Sequence, residues 1–242
     1  MEPAGWQSRT FLLTGEEGLQ KLQKAHVLVA GLGGVGSYAA EMLARAGIGE
    51  MTLVDGDIIC ESNINRQLPA LHSTVGKGKV SVMANRLQDI NPSLVLHPVP
   101  EYLRDERMEE VIKLYPYTYV VDAIDTLSPK VFLIYHAVQR GLPVVSSMGA
   151  GARFDPLQVN IADISKSYNC PLAKLIRKRL GKMGVRRGVK VVFSPERAVD
   201  DALLEVNEPN KKNSPGTISY MPAVFGCCCA SVVIRDILGM PV

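Results

Sequence analysis

Apolar positions in this chain fall into short blocks whose spacing alternates between strand-like runs and helical stripes. The block from His26 to Gly31, with its VLVA core, is too short for a helix and ends on glycine, so it predicts a buried strand. Gly34 to Ala46 follows as a helix, closed by Gly47, a residue suited to the left-handed cap position. Met51 to Asp55 predicts a second strand. A helix is expected from Gly76 to Ile90, where Val80, Met83, Ala84 and Leu87 lie on one face and Asn91-Pro92 stops it. Leu94 to Val99 and Tyr117 to Asp122 read as strands, Ser128 to Arg140 as a helix with Pro129 in its first turn, and VVSS after Pro143 as a fifth strand. Strands alternating with helices in this way predict an α/β fold with a doubly wound, mostly parallel sheet.

Beyond Gly149 the alternation weakens. Gln158 to Ala162 and Val189 to Phe193 are candidate strands, and Pro171 to Gly181 is a candidate basic helix. Ser194 to Gly216, with Pro195, Pro209 and Pro215 among mixed charges, reads as a long exposed loop. Thr217 onward leads into an apolar terminal helix, which Arg235 and Asp236 interrupt short of a membrane span; stable membrane insertion is not expected. The expected organisation is one domain, 1–242. It has a nucleotide-binding core over about 15–150, a basic crossover region over about 151–216, and a mixed C-terminal strand and helix over 217–242.

Composition changes this picture in one respect. The formal net charge is only +3, yet no acidic residue stands between Asp163 and Glu196. That interval holds Lys166, Lys174, Arg177, Lys178, Arg179, Lys182, Arg186, Arg187 and Lys190, a distribution suited to a polyanion such as nucleic acid or to a solvated helix face. The five cysteines are odd in number and irregularly spaced, which argues against a disulfide framework, and they form no CxxC pair for a zinc site of paired thiolates, so no zinc is expected. Cys170 precedes Pro171 and reads as a helix-start residue, and Cys227 to Cys229 as core packing. With no signal-like N-terminus, cytoplasm is the expected compartment.

The chemistry starts at Gly31-Leu32-Gly33-Gly34-Val35-Gly36, where a strand turns into a helix. Gly31, Gly33, Gly34 and Gly36 allow a tight turn whose N–H groups approach a phosphate, and Asp55 ends the next strand, placed to hold ribose hydroxyls. This Rossmann-like device indicates a nucleotide without saying which. Asp57, the run Asn63-Ile64-Asn65-Arg66-Gln67, Lys79, and Asp122-Ala123-Ile124-Asp125 then supply cations and carboxylates at strand ends that should converge on one crevice, as a triphosphate with Mg²⁺ requires.

With these motifs in hand the chain resembles the ubiquitin-activating, E1-like superfamily of adenylating enzymes, which includes the ThiF, MoeB and HesA proteins. GLGGVG, the DGD after the second strand, NINRQ, VGKGK, DAIDTLSPK, the entry segment RTFLLTGEEGLQKL and GTISYMPAVFG carry the likeness. The resemblance implies ATP and Mg²⁺ as cofactors. It makes Asp55 the ribose ligand, Arg66 and Lys79 phosphate ligands and Asp125 the Mg²⁺ ligand. Asp57 and Asn63 would contact ATP or orient the other residues, and Asp122 would support them. Arg9 would act on the neighbouring subunit's site, so a homodimer is implied. YNCPLAKLIRKRL and VRRGVKVVFSPERA are similar to segments of tRNA threonylcarbamoyladenosine dehydratases. In that family ATP activates the carboxylate of the threonylcarbamoyl group on adenosine 37 of tRNA, and attack by the urea closes a ring with loss of AMP. Lys174, Arg177, Lys178, Arg179, Lys182, Arg186, Arg187 and Lys190 would then grip the anticodon arm. Two other readings remain open: adenylation of the C-terminal glycine of a ubiquitin-like sulfur-carrier protein, and a nucleotide-sensing RNA-binding module without catalysis. Some relatives carry a cysteine linked to sulfur transfer before the GTISY-like segment; Lys211 to Tyr220 has none, so such a partner is not expected.

Overall fold

A computed structural model describes residues 4–199, 202–208 and 211–240. Five strands, β1 (His26–Ala30), β2 (Glu50–Val54), β3 (Val95–Val99), β4 (Tyr119–Asp122) and β5 (Val144–Ser147), form the parallel part of a seven-stranded sheet. β6 (Asn160–Asp163) and β7 (Lys190–Phe193) complete it in the order β3-β2-β1-β4-β5-β7-β6, with β6 antiparallel to β7 at one edge. The inner strands β1, β4 and β5 are fully buried and rich in valine, as a sheet covered on both faces demands, whereas β3 and β6 at the two edges are partly exposed.

Alternation along each strand divides the core in two. Val27 and Val29 of β1 and Met51 and Leu53 of β2 face α1 (Ser8–Gln23), α2 (Gly36–Ala46), α3 (Lys79–Ile90) and α7 (Tyr220–Ile237). Leu28 and Ala30 face α4 (Asp105–Leu114), α5 (Leu127–Gln139) and α6 (Pro171–Lys182). The predicted left-handed cap is present, with Gly47 at φ 95° closing α2. Gly15, at φ 70° and ψ −179°, breaks α1 into two helical pieces.

Four expectations need correction. Among the described residues no strand forms at the start of 217–242; Thr217 leads within three residues straight into α7. The residues between β3 and β4 received no helix from the sequence, yet α4 forms there, because Met108, Val111 and Ile112 make a narrow apolar stripe on an otherwise charged segment. Within Ser194 to Gly216, read as a loop, β8 (Leu203–Glu208) and β9 (Lys211–Pro215) pair as an antiparallel hairpin with a bulge between Glu205 and Glu208; 200–201 and 209–210 lie outside the described residues. Finally, α2 and α3 begin at Gly36 and Lys79, two and three residues later than expected, because the glycines ahead of each belong to turns.

α7 is long and apolar enough to cross a membrane by length and composition alone. Its Met221, Phe225, Cys229, Ala230, Val232 and Val233 are buried against α2 and the sheet, so nearly half of the helix serves as core. Cys170 caps α6 and is buried; of the terminal cysteines only Cys229 is fully buried, while Cys227 is exposed.

Candidate active site

The strand order reverses between β1 and β4, and in a doubly wound sheet the crevice outside the strands' carboxyl ends opens at that point. Gly31 follows β1 there with φ 88°, and a Cβ on it would lie 2.7 Å from the Ala123 carbonyl oxygen. Gly36 is tighter still: its Cβ would fall 1.7 Å from the Gly31 carbonyl oxygen. These two glycines let the loop fold back on itself beside the β4 end. Gly34 packs between the Arg66 carbonyl and Pro222 of α7, and Gly33 faces the Gln67 amide.

Asp55, the residue after β2, closes on this loop. Its Oδ2 accepts the Leu32 N–H at 2.6 Å and its Oδ1 accepts the Asp57 N–H at 2.8 Å. Burial raises its pKa, while Lys79 and the two N–H donors oppose the rise. Each oxygen keeps a lone pair after these bonds, so the carboxylate is anchored yet still able to accept from a ligand hydroxyl. Lys79, almost fully buried at the start of α3, donates to Asp57 Oδ2 at 2.6 Å. Tyr102 donates to the other Asp57 oxygen, and Gly56 leaves room for the Tyr102 ring. Asp57 therefore fixes both the lysine and the tyrosine.

Across the crevice, Arg66 donates to the Ser62 carbonyl and to Asn65 Oδ1, each at 2.8 Å. Burial lowers its pKa and the neighbouring Asp125 carboxylate raises it, which places the two side chains within electrostatic reach. Asn63 shapes this turn: its Oδ1 accepts the Cys60 N–H and its carbonyl accepts the Gln67 N–H. Asn65 ties the turn to the segment after the hairpin by donating to the Thr217 carbonyl at 2.9 Å.

Asp125 is exposed on the loop leaving β4, and Asp122 sits beneath it with no exposure. Asp122 accepts from Ser146 Oγ at 2.6 Å and from the Ile124 N–H at 3.2 Å, and pairs with the equally buried Lys130 at 2.8 Å. Burial pushes the Asp122 carboxyl upward against those three partners. Lys130 also donates to the Ile124 carbonyl at 2.8 Å, so the loop bearing Asp125 is clamped from below. An exposed carboxylate on a fixed loop is a hard oxygen donor of the kind Mg²⁺ takes.

The structure thus brings together the glycine loop, Asp55, Asp57, Lys79, Arg66 and Asp125. Arg9 stands elsewhere, exposed on α1. Among the basic residues, Lys174, Lys178, Arg179, Lys182, Arg186 and Arg187 are exposed. Arg177 is spent on Ser167 and the Ile164 carbonyl, and Lys190 on Asp236 at 2.5 Å. Arg179 reaches Ser128 Oγ at 2.9 Å, three residues from Asp125, and so links the basic helix to the crevice.

Sequence reasoning assigned no role to Lys130, Tyr102 or Gln67. Lys130 had a signal, a lone cation on the apolar face of α5. Gln67 closes the NINRQ motif, which marked its place without a role; its Oε1 is buried and has no hydrogen-bond partner among the described residues.

A glycine-turned phosphate loop, an anchored ribose-type carboxylate and facing cations define a nucleotide-binding α/β protein. The chain belongs to the ThiF family, whose model matches residues 7–242. The tRNA threonylcarbamoyladenosine dehydratase of Bacillus subtilis (strain 168) is 41% identical over 239 residues, covering 96% of this chain and 94% of the relative. That of Escherichia coli (strain K12) is 41% identical over 204 residues, 80% of this chain and 76% of the relative. The crystal structure of the E. coli enzyme in complex with ATP superposes with a TM-score of 0.89 at 36% identity, over 99% of this chain and 97% of that one.

Proposed function

We propose that this protein cyclises N6-threonylcarbamoyladenosine at position 37 of tRNA by adenylating its carboxylate with ATP. The observation that carries the reading is the Asp55–glycine-loop junction facing Arg66 and Asp125, in a chain matched to such dehydratases over nearly its whole length. That coverage favours this substrate over the C-terminal glycine of a sulfur-carrier protein.

The loop N–H groups from Gly31 to Gly36 cradle phosphate, and Asp55 accepts the ribose hydroxyls. Arg66 and Lys79 offset the triphosphate charge, with Asp57 holding Lys79 in line. Asp125 would hold Mg²⁺, which when bound supplies further charge neutralisation. A carboxylate oxygen of the substrate attacks the α-phosphorus, and pyrophosphate leaves. The urea then attacks the activated carbonyl carbon, and AMP departs with the original carboxylate oxygen, so the nucleoside loses one water. The attacking group already belongs to the substrate, and geometry replaces an enzyme nucleophile.

Two partners follow. The exposed cations around α6 would bind anticodon-arm phosphates. The turn Gly5–Gln7 and the first part of α1 leave Trp6, Leu12 and Leu13 exposed beside Arg9, an apolar surface that a second subunit would cover while placing Arg9 at its site. The three sequence regions would work as one adenylation domain in the cytoplasm, with α7 as core rather than membrane anchor.

Incubation with ATP, Mg²⁺ and threonylcarbamoylated tRNA should release AMP and yield a nucleoside lighter by one water on mass analysis. An unchanged nucleoside with pyrophosphate exchange driven by a ubiquitin-like protein would instead establish the sulfur-carrier reading.

A further inference from the structure

At the opposite end of the sheet from the crevice, parallel register gathers three ligand-type side chains on one face. His26 opens β1 opposite Glu50 of β2, and His97 of β3 lies opposite Thr52, two residues on from Glu50. Alternation by two puts all four side chains on the face covered by α4. His26 is four strand steps from Ala30, roughly 13 Å from the nucleotide loop.

The donor atoms are close. Glu50 Oε1 lies 3.4 Å from His26 Nδ1 and 2.6 Å from His97 Nε2, and the three donors fall within 4.8 Å of one another. The separation to His26 is long for a charge-assisted hydrogen bond, yet it matches the ~3.3 Å between two ligand atoms on a tetrahedral ion with 2.0–2.1 Å bonds. His26 is further prepared: its Nε2 meets the fully buried Thr52 Oγ1 at 2.9 Å, the kind of partner that fixes a ligating imidazole's other nitrogen. Tyr115 and Tyr117 hold the rings, with centroids 4.3 Å from His97 and 4.7 Å from His26. Glu50 and His97 remain partly exposed, so an ion has an entrance.

We propose that His26, Glu50 and His97 form a structural site for a divalent transition cation of the zinc class, completed by water and tying β1, β2 and β3 together. Two imidazoles and one carboxylate suit Zn²⁺ and Co²⁺ over Mg²⁺, which prefers oxygen alone. On binding, His97 presents its Nε2 lone pair and carries its proton on Nδ1, while its contact with Glu50 opens by about 0.7 Å to ligand spacing. The lack of paired cysteines bears only on thiolate sites and leaves this one open.

The test uses tag-free, chelator-treated full-length protein titrated with Co²⁺ and Zn²⁺. One equivalent should bind, giving the visible absorption of four-coordinate cobalt and a higher melting temperature. His97→Ala, on the sheet's edge strand, and Glu50→Gln should each weaken binding on the order of 10²-fold or more, while their circular dichroism reports folding. A Cys60→Ser/Cys227→Ser variant should bind as the wild type does. No stoichiometric uptake by the wild type, uptake unchanged in folded His97→Ala, or uptake lost with the cysteines overturns the proposal.

Discussion

Lys130 Nζ lies 2.8 Å from Asp122 Oδ2, and neither side chain has any solvent exposure. This pair sits below the loop that presents Asp125 and is reinforced by Ser146 and the Ile124 backbone. Removing one partner leaves an uncompensated buried charge. Lys130→Met should therefore lower unfolding free energy by about 3–5 kcal/mol. Denaturant titration checks this, and the Asp122→Asn/Lys130→Met double variant should lose less than the two single losses added together.

Arg66→Ala and Asp125→Ala should each reduce AMP release on the order of 10²–10³-fold, the scale of one preorganised electrostatic contact. Steady-state turnover on modified tRNA measures it. Wild-type rates in both would remove these residues from the site.

If Arg9 acts across a dimer, Arg9→Ala and Arg66→Ala proteins should rescue one another on mixing. Random hybrids restore roughly a quarter of the sites, since half the dimers then hold one intact site each. Activity of the mixture no higher than that of either parent would overturn the in-trans role.

Stability should respond to His26. Its folded pKa, about 4, lies below the ordinary 6.5, so between these values the unfolded chain binds the extra proton. The contribution is complete above pH 6.5, shrinks as pH falls through the window, and is gone below about 4. Burial is the main cause; Glu50 opposes it, His97 assists it, and Tyr115 and Tyr117 flank the ring. Melting temperatures from pH 4 to 7, compared with His26→Gln, should show a shallower slope for the variant.

Gly36→Ala should abolish ATP-induced thermal stabilisation, because a methyl 1.7 Å from the Gly31 carbonyl forces the phosphate loop open. Gly76→Ala serves as a contrast: a Cβ there meets open space, although its φ of 85° imposes local strain. Calorimetry with and without ATP separates the two.

The sheet was legible because its inner strands are short valine-rich runs bounded by glycine, proline or aspartate, and β5 in particular matches the expected VVSS residue for residue. The crevice was legible because Gly31 and Asp55 directly follow β1 and β2, and Asp125 lies on the short loop leaving β4, where topology determines their neighbours. α4 escaped notice because only Met108, Val111 and Ile112 mark its buried side. The His26–Glu50–His97 cluster carries no spacing motif at all; register across three strands creates it. Arg177 and Lys190 look like their basic neighbours in sequence, and only their bonds to Ser167 and Asp236 set them apart.

The β8–β9 hairpin leaves and rejoins the fold at a single junction. Gly216 donates to the Ala202 carbonyl at 2.7 Å, Ala152 donates to the Gly216 carbonyl at 2.8 Å, and Asn65 holds Thr217. The ribbon's two ends are therefore stapled within a few ångströms of each other. Paired insertions or deletions beyond that staple therefore cost little loop-closure entropy, so long as the junction itself is kept.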